Sequence, residues 1–284
     1  MTAALRHALV AAAGIAACVS AAAFDTAVPR APAAAGDAGR FVWRDLMTRD
    51  VRAAKRFYGE LLGWRFENAR RGELPYVLAR AGTTPVGGIV DVTSLAGAGE
   101  QWLSFMAVDN VDRTVSLVES GGGRVLVAPR EASVARVAVV TDPQGAPLGL
   151  AQLRREIPDP AQPAASHFFW QEYLARDAEQ ALAFYKGLAT YESAVLETRL
   201  GVDYHVLRTT RGRAGLFRIP PSAVDVQPNW LPYVLVENPA ALAARVQGLG
   251  GRIVVPAAPE RRNGSLVVIA DPGGAVLALQ KFPF

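Results

Sequence analysis

The feature that most constrains the fold is a stretch that the chain carries twice. The residues FVWRDLMTRDVRAAKRFYGELLGW, beginning at Phe41, return as FFWQEYLARDAEQALAFYKGLATY, beginning at Phe168. A second pair, WLSFMAVDNVDRTVSLVESGGG from Trp102 and WLPYVLVENPAALAARVQGLGG from Trp230, repeats at nearly the same offset. Internal repetition on this scale indicates one supersecondary unit used several times.

All four stretches predict the same order of elements, βαβββ. In each, a tryptophan opens a short apolar strand and an acid follows seven residues later: Trp43 to Asp50, Trp102 to Asp109, Trp170 to Asp177 and Trp230 to Glu237. Asp50, Asp177 and Asn238 are predicted helix N-caps, because their side chains can accept a backbone N–H of the first helical turn. Short β segments follow each helix, and DPQG and DPGG predict tight turns between the last two strands of the second and fourth units.

Residues 1–39 predict a signal peptide and a tether. Arg6 and His7 precede ALVAAAGIAA, which is too short to span a bilayer but suits the core of a signal peptide. Cys18, the only cysteine, closes IAAC and resembles the lipidated cysteine of a bacterial lipobox. We therefore expect an exported lipoprotein, anchored to the membrane by its N-terminal lipid and facing the periplasm. The alternative is cleavage before Phe24, which gives a soluble periplasmic or secreted protein.

The composition is that of an ordinary globular protein. Hydrophobic residues make up 51% of the chain and charged residues 20%, and the formal net charge is +4. The arginine doublets at 70–71, 154–155 and 261–262 are isolated and do not form a basic stripe. We therefore expect no nucleic-acid partner.

The repeated units resemble the vicinal oxygen chelate superfamily, also called the glyoxalase/bleomycin-resistance/dioxygenase fold, and in particular its two-domain glyoxalase-like proteins. The motifs are the FYGELLGW and FYKGLATY helices, the AVDNVD and LVENPA strand ends, and the DPQG and DPGG turns. The resemblance implies an α+β fold in which two βαβββ units form one cupped sheet. It places glyoxalase-like domains at residues 40–155 and 156–284.

The resemblance also implies where a metal ion would bind. Metal enzymes of the superfamily carry histidine on the first strand of each unit and glutamate on the last strand. The histidine positions transfer to Trp43, Trp102, Trp170 and Trp230, and the glutamate positions to Gly149 and Ala278. None of these side chains ligates a divalent ion, because an indole offers only an N–H donor. We therefore expect no metal and no other cofactor.

A few residues remain as candidates for a site. Asp45 and Glu172 each follow a tryptophan by two residues and lie on the same strand face, where an acid orients a ligand, acts as a general base or pairs with an arginine. His205 is the only histidine in a predicted strand, and it is either a relocated functional residue or a structural one. Tyr76 and Tyr204 precede equivalent strands and line either a pocket or the core.

The pattern favours a non-catalytic protein that binds a small planar or cationic molecule in aromatic-lined cups. The predicted ligand-binding residues are Trp43, Asp45, Trp102, Trp170, Glu172, Trp230, Tyr76 and Tyr204. We further predict that Trp43 faces Trp102, and that Trp170 faces Trp230, across each cup. The first alternative is a lyase, isomerase or dioxygenase-type enzyme of the same superfamily that works through Asp45, Glu172 or His205. The second is a structural or partner-binding lipoprotein whose cups are filled by its own side chains, and a homodimer is a candidate assembly.

Overall fold

The structure is a computed structural model that describes residues 37–71, 74–95, 98–132, 135–155, 157, 164–197 and 203–281. The predicted signal peptide, Cys18 and nearly all of the tether lie outside these residues. Within the described part, no helix has the length and apolar character needed to cross a membrane.

The first domain consists of two βαβββ units. The elements are β1 (Phe41–Thr48), α1 (Val51–Leu62), β2 (Arg65–Arg71), β3 (Leu74–Ala81), β4 (Thr84–Asp91), β5 (Gln101–Ala107), α2 (Val111–Ser120), β6 (Arg124–Glu131), β7 (Ala135–Thr141) and β8 (Pro147–Leu153). The strands form one eight-stranded sheet in the order β2-β3-β4-β1-β5-β8-β7-β6. The central strands β1 and β5 are antiparallel, and each is parallel to the last strand of its own unit.

The second domain repeats this plan. Its elements are β9 (Phe168–Ala175), α3 (Ala178–Leu188), β10 (Glu192–Glu197), β11 (Asp203–Arg208), β12 (Arg213–Arg218), β13 (Asn229–Leu235), α4 (Pro239–Val246), β14 (Arg252–Val255), β15 (Leu266–Ala270) and β16 (Val276–Gln280), with 3-10 turns at Gln247–Leu249 and Arg262–Gly264. The sheet order is β10-β11-β12-β9-β13-β16-β15-β14. The predicted α+β fold, with four βαβββ units paired into two sheet domains, is confirmed.

Each sheet has one face that carries the helices and an opposite, inner face. We call the inner face of the first sheet the first cup, which holds the buried cluster around Trp43 and Phe105. The second cup is the inner face of the second sheet, around Trp170 and Tyr233. The helix faces of the two domains pack against each other, so that α1 shares a core with β13 and β15, and α3 shares one with α2 and β8.

The four helices begin at side-chain caps that correct the predicted alignment of the units. Asp50, Asn110, Asp177 and Asn238 each accept a hydrogen bond from the backbone N–H three residues on, at 2.8–3.0 Å. Trp43 and Trp170 lie seven residues before the caps of their helices, whereas Trp102 and Trp230 lie eight residues before theirs. The second and fourth units are therefore shifted by one residue relative to the predicted frame.

That shift makes the predicted facing of the tryptophans wrong. In the β1–β5 pair, Trp43 is opposite Phe105, and Trp102 is opposite Leu46. Because side chains alternate along a strand, a shift of one residue moves a side chain to the other face of the sheet. Trp43 therefore lies in the first cup, and Trp102 lies on the helix face.

The second domain shows the same arrangement. Trp170 is opposite Tyr233 in the second cup, whereas Trp230 is opposite Tyr173 on the helix face. The positions that match Trp43 and Trp170 on β5 and β13 are Leu103 and Leu231, and not Trp102 and Trp230.

Candidate functional site

Trp102 belongs to a hydrogen-bonded chain that crosses from the first domain to the second. Its indole Nε1 donates to the Tyr58 hydroxyl at 3.0 Å, and that hydroxyl donates to Asp271 Oδ2 at 3.0 Å. Tyr58 lies on α1, and Asp271 opens the turn between β15 and β16. All three side chains are buried. Trp102 therefore helps to hold the two domains together and does not line a cup.

Trp230 belongs to the reciprocal chain. Its Nε1 donates to the Tyr185 hydroxyl at 2.9 Å, and that hydroxyl donates to Asp142 Oδ2 at 2.9 Å. The Tyr173 hydroxyl donates to the same carboxylate oxygen. The interface between the domains thus uses three repeated residues: the second tryptophan of each domain, the tyrosine of each FY motif and the aspartate of each Asp-Pro turn.

Burial perturbs the ionisation of these interface groups. It raises the pKa of Asp271 and of Asp142 above the usual aspartate value, although hydrogen bonds from backbone N–H groups and tyrosines oppose the shift. Burial and the neighbouring carboxylates raise the pKa of Tyr58 and of Tyr185 well above the usual tyrosine value. The two tyrosines are therefore neutral hydrogen-bond donors near neutral pH.

The first cup contains a buried acid with aromatic donors. Asp45 Oδ1 accepts from Trp43 Nε1 at 2.9 Å and from the Tyr76 hydroxyl at 2.7 Å. Their exposed fractions are 1%, 7% and 2%, so the predicted trio is brought together but shielded from solvent. Tyr76 passes over Gly88, where an added Cβ would lie 1.6 Å from its hydroxyl oxygen. The first cup is therefore filled by its own side chains.

The positions where the resemblance would place metal ligands do not fit a metal ion. Trp43 and Leu103 occupy the two first-strand positions, and the ring of Phe105 covers the last-strand position at Gly149. A Cβ added at Gly149 would lie 2.3 Å from Phe105 Cδ1, so no longer side chain fits there. No group of three or more His, Cys, Asp or Glu side chains suited to a metal occurs among the described residues.

The second cup is built around Glu172, the counterpart of Asp45. Its Oε1 accepts from the Tyr204 hydroxyl at 2.5 Å and from Arg262 Nη2 at 2.6 Å. Its Oε2 accepts from the Tyr233 hydroxyl. Trp170 Nε1 donates to the Tyr204 hydroxyl at 3.1 Å. Trp170, Glu172 and Tyr204 were predicted from the sequence as ligand-binding residues, whereas Tyr233 and Arg262 were not.

Arg262 enters the second cup from the loop between β14 and β15. Its backbone has φ of 48°, and Asn263 follows with φ of 54°, both in the left-handed region that few side-chain-bearing residues adopt. The guanidinium carbon lies 5.3 Å from the centre of the Tyr233 ring and 5.8 Å from that of Tyr204. Strand periodicity does not predict the position of this loop, although its Asn263-Gly264 pair is a turn signal.

Gln280 is a further polar residue of the second cup, and it was not predicted from the sequence. Its Oε1 accepts from Arg262 Nη1 at 2.7 Å, while its buried Nε2 has no hydrogen-bond partner among the described residues. The side chain has no exposed surface. The strand pairing shows that Ala151 is the counterpart of Gln280 in the first cup. A comparison of the sequences of the two last strands could therefore have identified Gln280 as a polar residue of the second cup.

The second cup is more accessible than the first. Trp170, Tyr204 and Phe217 are only partly buried, and the Arg262 side chain is 22% exposed. The Tyr204 and Phe217 rings are stacked, with centres 6.4 Å apart and planes at 21°. Flat aromatic surface therefore adjoins a charged and hydrogen-bonding group at the mouth of this cup.

His205 does not lie at this site. It is opposite Leu216 on the neighbouring strand, and Leu216 belongs to the core on the helix face. The adjacent residue Tyr204 points into the second cup, so His205 points away from it. The imidazole is buried at 6% exposure, and its position excludes contact with a ligand in the cup.

The comparisons with known proteins agree with this architecture. Residues 40–150 match the model of the Glyoxalase/Bleomycin resistance protein/Dioxygenase superfamily. The chain is 32% identical over 244 residues to the protein named "Putative glyoxylase CFP32" of Mycobacterium bovis and of Mycobacterium tuberculosis, which covers 84% of this chain and 93% of each relative. This chain belongs to the glyoxalase/bleomycin resistance/dioxygenase superfamily.

Other similarities of this chain are more distant. The anthracycline biosynthesis protein DauV of Streptomyces is 28% identical over an alignment of 261 residues, and the match covers 84% of this chain and 91% of DauV. The Mn(II)-bound glyoxalase from Novosphingobium aromaticivorans superposes with a TM-score of 0.57 at 13% identity, over 87% of this chain and 83% of that one. The 2,2',3-trihydroxybiphenyl 1,2-dioxygenase of Sphingomonas wittichii also gives 0.57, at 14% identity, over 86% and 90%. These two likenesses show the fold.

Proposed function

We propose that this superfamily member binds a small planar molecule at the mouth of its second cup. The observation that carries the proposal is the partly exposed aromatic surface of Trp170, Tyr204 and Phe217. It lies beside the polar pair formed by Arg262, which is partly exposed, and Gln280, which is buried. Binding sites for small molecules typically combine apolar and aromatic walls with a few fixed polar groups. The first cup lacks this combination, because its aromatic and acidic residues are enclosed.

The polar group favours a neutral or anionic ligand over a cationic one. Arg262 already forms an ion pair with Glu172 and lies over the Tyr233 ring, so it occupies the place that a ligand cation would take. The buried Nε2 of Gln280 is a hydrogen-bond donor without a partner among the described residues, and an acceptor oxygen that reaches into the cup satisfies it. A planar molecule with a carbonyl or carboxylate oxygen satisfies both features.

The same contacts favour binding over catalysis. Both oxygens of Glu172 accept hydrogen bonds from tyrosines, and one of them is also paired with Arg262. A general base needs a free lone pair within reach of the proton that it removes. Asp45 is enclosed with Trp43 and Tyr76, so it is no better placed for that role.

We also propose that the protein is exported and carries a lipid on Cys18. The support is the sequence of the N-terminal segment alone, since its apolar core ends at the only cysteine of the chain. Mass spectrometry of the mature protein tests this proposal. An acylated N-terminal cysteine is expected, and an unmodified chain that begins at Phe24 contradicts lipidation. A Cys18→Ala variant should lose membrane retention and keep its folded structure.

Tryptophan fluorescence tests the proposed binding. Trp170 is partly exposed, so a planar ligand stacked on it should quench its emission. The panel should contain matched planar aromatic molecules that carry a carboxylate, a carbonyl or a quaternary ammonium group. Saturable quenching by the first two and none by the third is expected. Binding of the ammonium compounds alone would contradict the polarity assigned to the site.

A further inference from the structure

Arg44 is a cation at the boundary between the two domains without an acidic partner among the described residues. It lies on the helix face of β1, next to Trp43 in sequence but on the opposite side of the sheet. Its Nη1 donates to the Phe41 carbonyl and its Nη2 to Gln171 Oε1, both at 3.4 Å, which is long for such hydrogen bonds. The guanidinium carbon lies 5.0 Å from the centre of the Phe168 ring.

The Nε of Arg44 is not satisfied by any described group. The residue as a whole is partly buried, yet this atom is shielded from solvent and has no hydrogen-bond partner. Burial and the nearby Arg40 lower the pKa of Arg44 to about 9, whereas Arg40 itself is paired with Asp37 at 2.9 Å. Among the described residues, the charge around Arg44 is therefore positive and has no acid that compensates it.

Two further polar groups at this boundary are also unsatisfied. Ser104 and Gln171 are each 1% exposed, and neither Ser104 Oγ nor Gln171 Nε2 has a hydrogen-bond partner in the described structure. Ser104 is opposite Arg44 in the β1–β5 pair, which places their Cβ atoms about 4.5–5.5 Å apart on one face. Gln171 reaches the same guanidinium from the second domain. Three donors from the two domains therefore lie near one another without an acceptor among the described residues.

We propose that Arg44, Ser104 and Gln171 form a binding site for a small monovalent anion of the size of chloride between the two domains. A guanidinium N–H, a hydroxyl and an amide N–H are all donors, and a negatively charged acceptor satisfies them together. One cation without an acidic partner among the described residues matches one negative charge, and the near-complete burial of Ser104 and Gln171 favours an ion small enough to reach enclosed donors. This site is distinct from the second cup and does not depend on it.

The proposal makes the stability of the protein depend on chloride. An anion that binds the folded chain and not the unfolded chain raises the midpoint of thermal unfolding as its concentration rises. The measurement is a titration from chloride-free buffer to molar chloride, with gluconate as the replacement at constant ionic strength. The midpoint should rise with chloride in the native protein, and a midpoint that does not respond overturns the proposal.

Two variants assign the effect to this site. Arg44→Met should abolish the chloride dependence whatever its effect on stability itself. Ser104→Ala, a small change that the fold should accept, should weaken chloride affinity on the order of tenfold. Arg49→Met is the matched control, because Arg49 is an exposed arginine just beyond the end of β1 that donates to a backbone carbonyl. Retention of the dependence in Arg44→Met, or its loss in Arg49→Met, overturns the assignment.

Bromide provides a structural readout. Crystals grown in sodium bromide should show an anomalous peak within hydrogen-bond reach of Arg44 and Ser104. Ordinary water density at that position, with bromide only on the protein surface, contradicts the proposal.

Discussion

The hydroxyl of Tyr58 donates a 3.0 Å hydrogen bond to the carboxylate of Asp271, which lies 213 residues further along the chain. Tyr185 and Asp142 form the reciprocal bond at 2.9 Å. Because each pair joins a helix of one domain to a turn of the other, the most repeated motifs of the sequence encode the docking of the two domains.

Removal of one of these hydroxyls should destabilise the whole protein. Tyr58→Phe keeps the ring but leaves both Trp102 Nε1 and Asp271 Oδ2 without their buried partner. We expect a loss of ~1–3 kcal/mol in the free energy of unfolding, measured by urea denaturation. In a double-mutant cycle with Asp271→Asn, the two losses should not add. Strict additivity would contradict direct coupling across the interface.

The raised pKa values of the interface aspartates predict a pH dependence with a definite sign. A carboxyl whose pKa is higher in the folded chain than in the unfolded chain binds more protons when the chain is folded. Its contribution to the free energy of unfolding is therefore complete below the unfolded pKa of about 3.9. That contribution is lost as the pH rises through the raised pKa of Asp271. The destabilisation caused by Asp271→Asn should therefore be larger at about pH 4 than at neutral pH. Urea denaturation of both proteins at the two pH values checks this, and a difference that grows with pH contradicts it.

The two tryptophans of the cups should respond differently to truncation. Trp43 is 7% exposed in a filled cup, so Trp43→Ala should cost ~3–5 kcal/mol of stability. Trp170 is partly exposed at the mouth of the second cup, so Trp170→Ala should cost clearly less. Denaturation of the two variants under the same conditions provides the comparison. Equal losses would contradict the difference in accessibility between the cups.

Gly88 tests whether the first cup is full. A methyl group at this position would meet the Tyr76 ring, with contacts of 1.6–2.5 Å to its atoms, so Gly88→Ala should destabilise the protein by ~1–3 kcal/mol. The control is Gly187→Ala in helix α3, where nothing lies within 4 Å of the added carbon. That change should be neutral or stabilise the protein by up to ~1 kcal/mol. Thermal unfolding of both variants decides between a filled cup and one with room to spare.

Much of the fold could be predicted from the sequence, because the repeated units contain residues with strong preferences for helix caps and tight turns. The caps at Asp50 and Asp177 and the Asp-Pro turns fix the boundaries of each unit. The roles of Trp102 and Trp230 could not be predicted in the same way. An alignment of the four units on Asp109 and Glu237 misplaces these tryptophans by one residue. The caps at Asn110 and Asn238 give the correct frame.

The second cup was only half predictable for a different reason. Trp170, Glu172 and Tyr204 lie on regular strands, whose alternation shows which side chains share a face. Arg262 reaches the same place from a loop in a left-handed conformation, which strand periodicity cannot indicate. Gln280 can be recognised only by its difference from Ala151, after the sequences of the last strands of the two domains have been aligned correctly.

The central claim is that a planar ligand with an acceptor oxygen binds in the second cup, and calorimetric titration tests it most directly. A compound that quenches the native protein should be titrated against Trp170→Ala, Gln280→Ala and the first-cup control Trp43→Phe. We predict that each second-cup variant weakens binding by ~1–3 kcal/mol and that Trp43→Phe leaves the affinity unchanged. Unchanged affinity in both second-cup variants, with loss of binding in Trp43→Phe, would contradict the account.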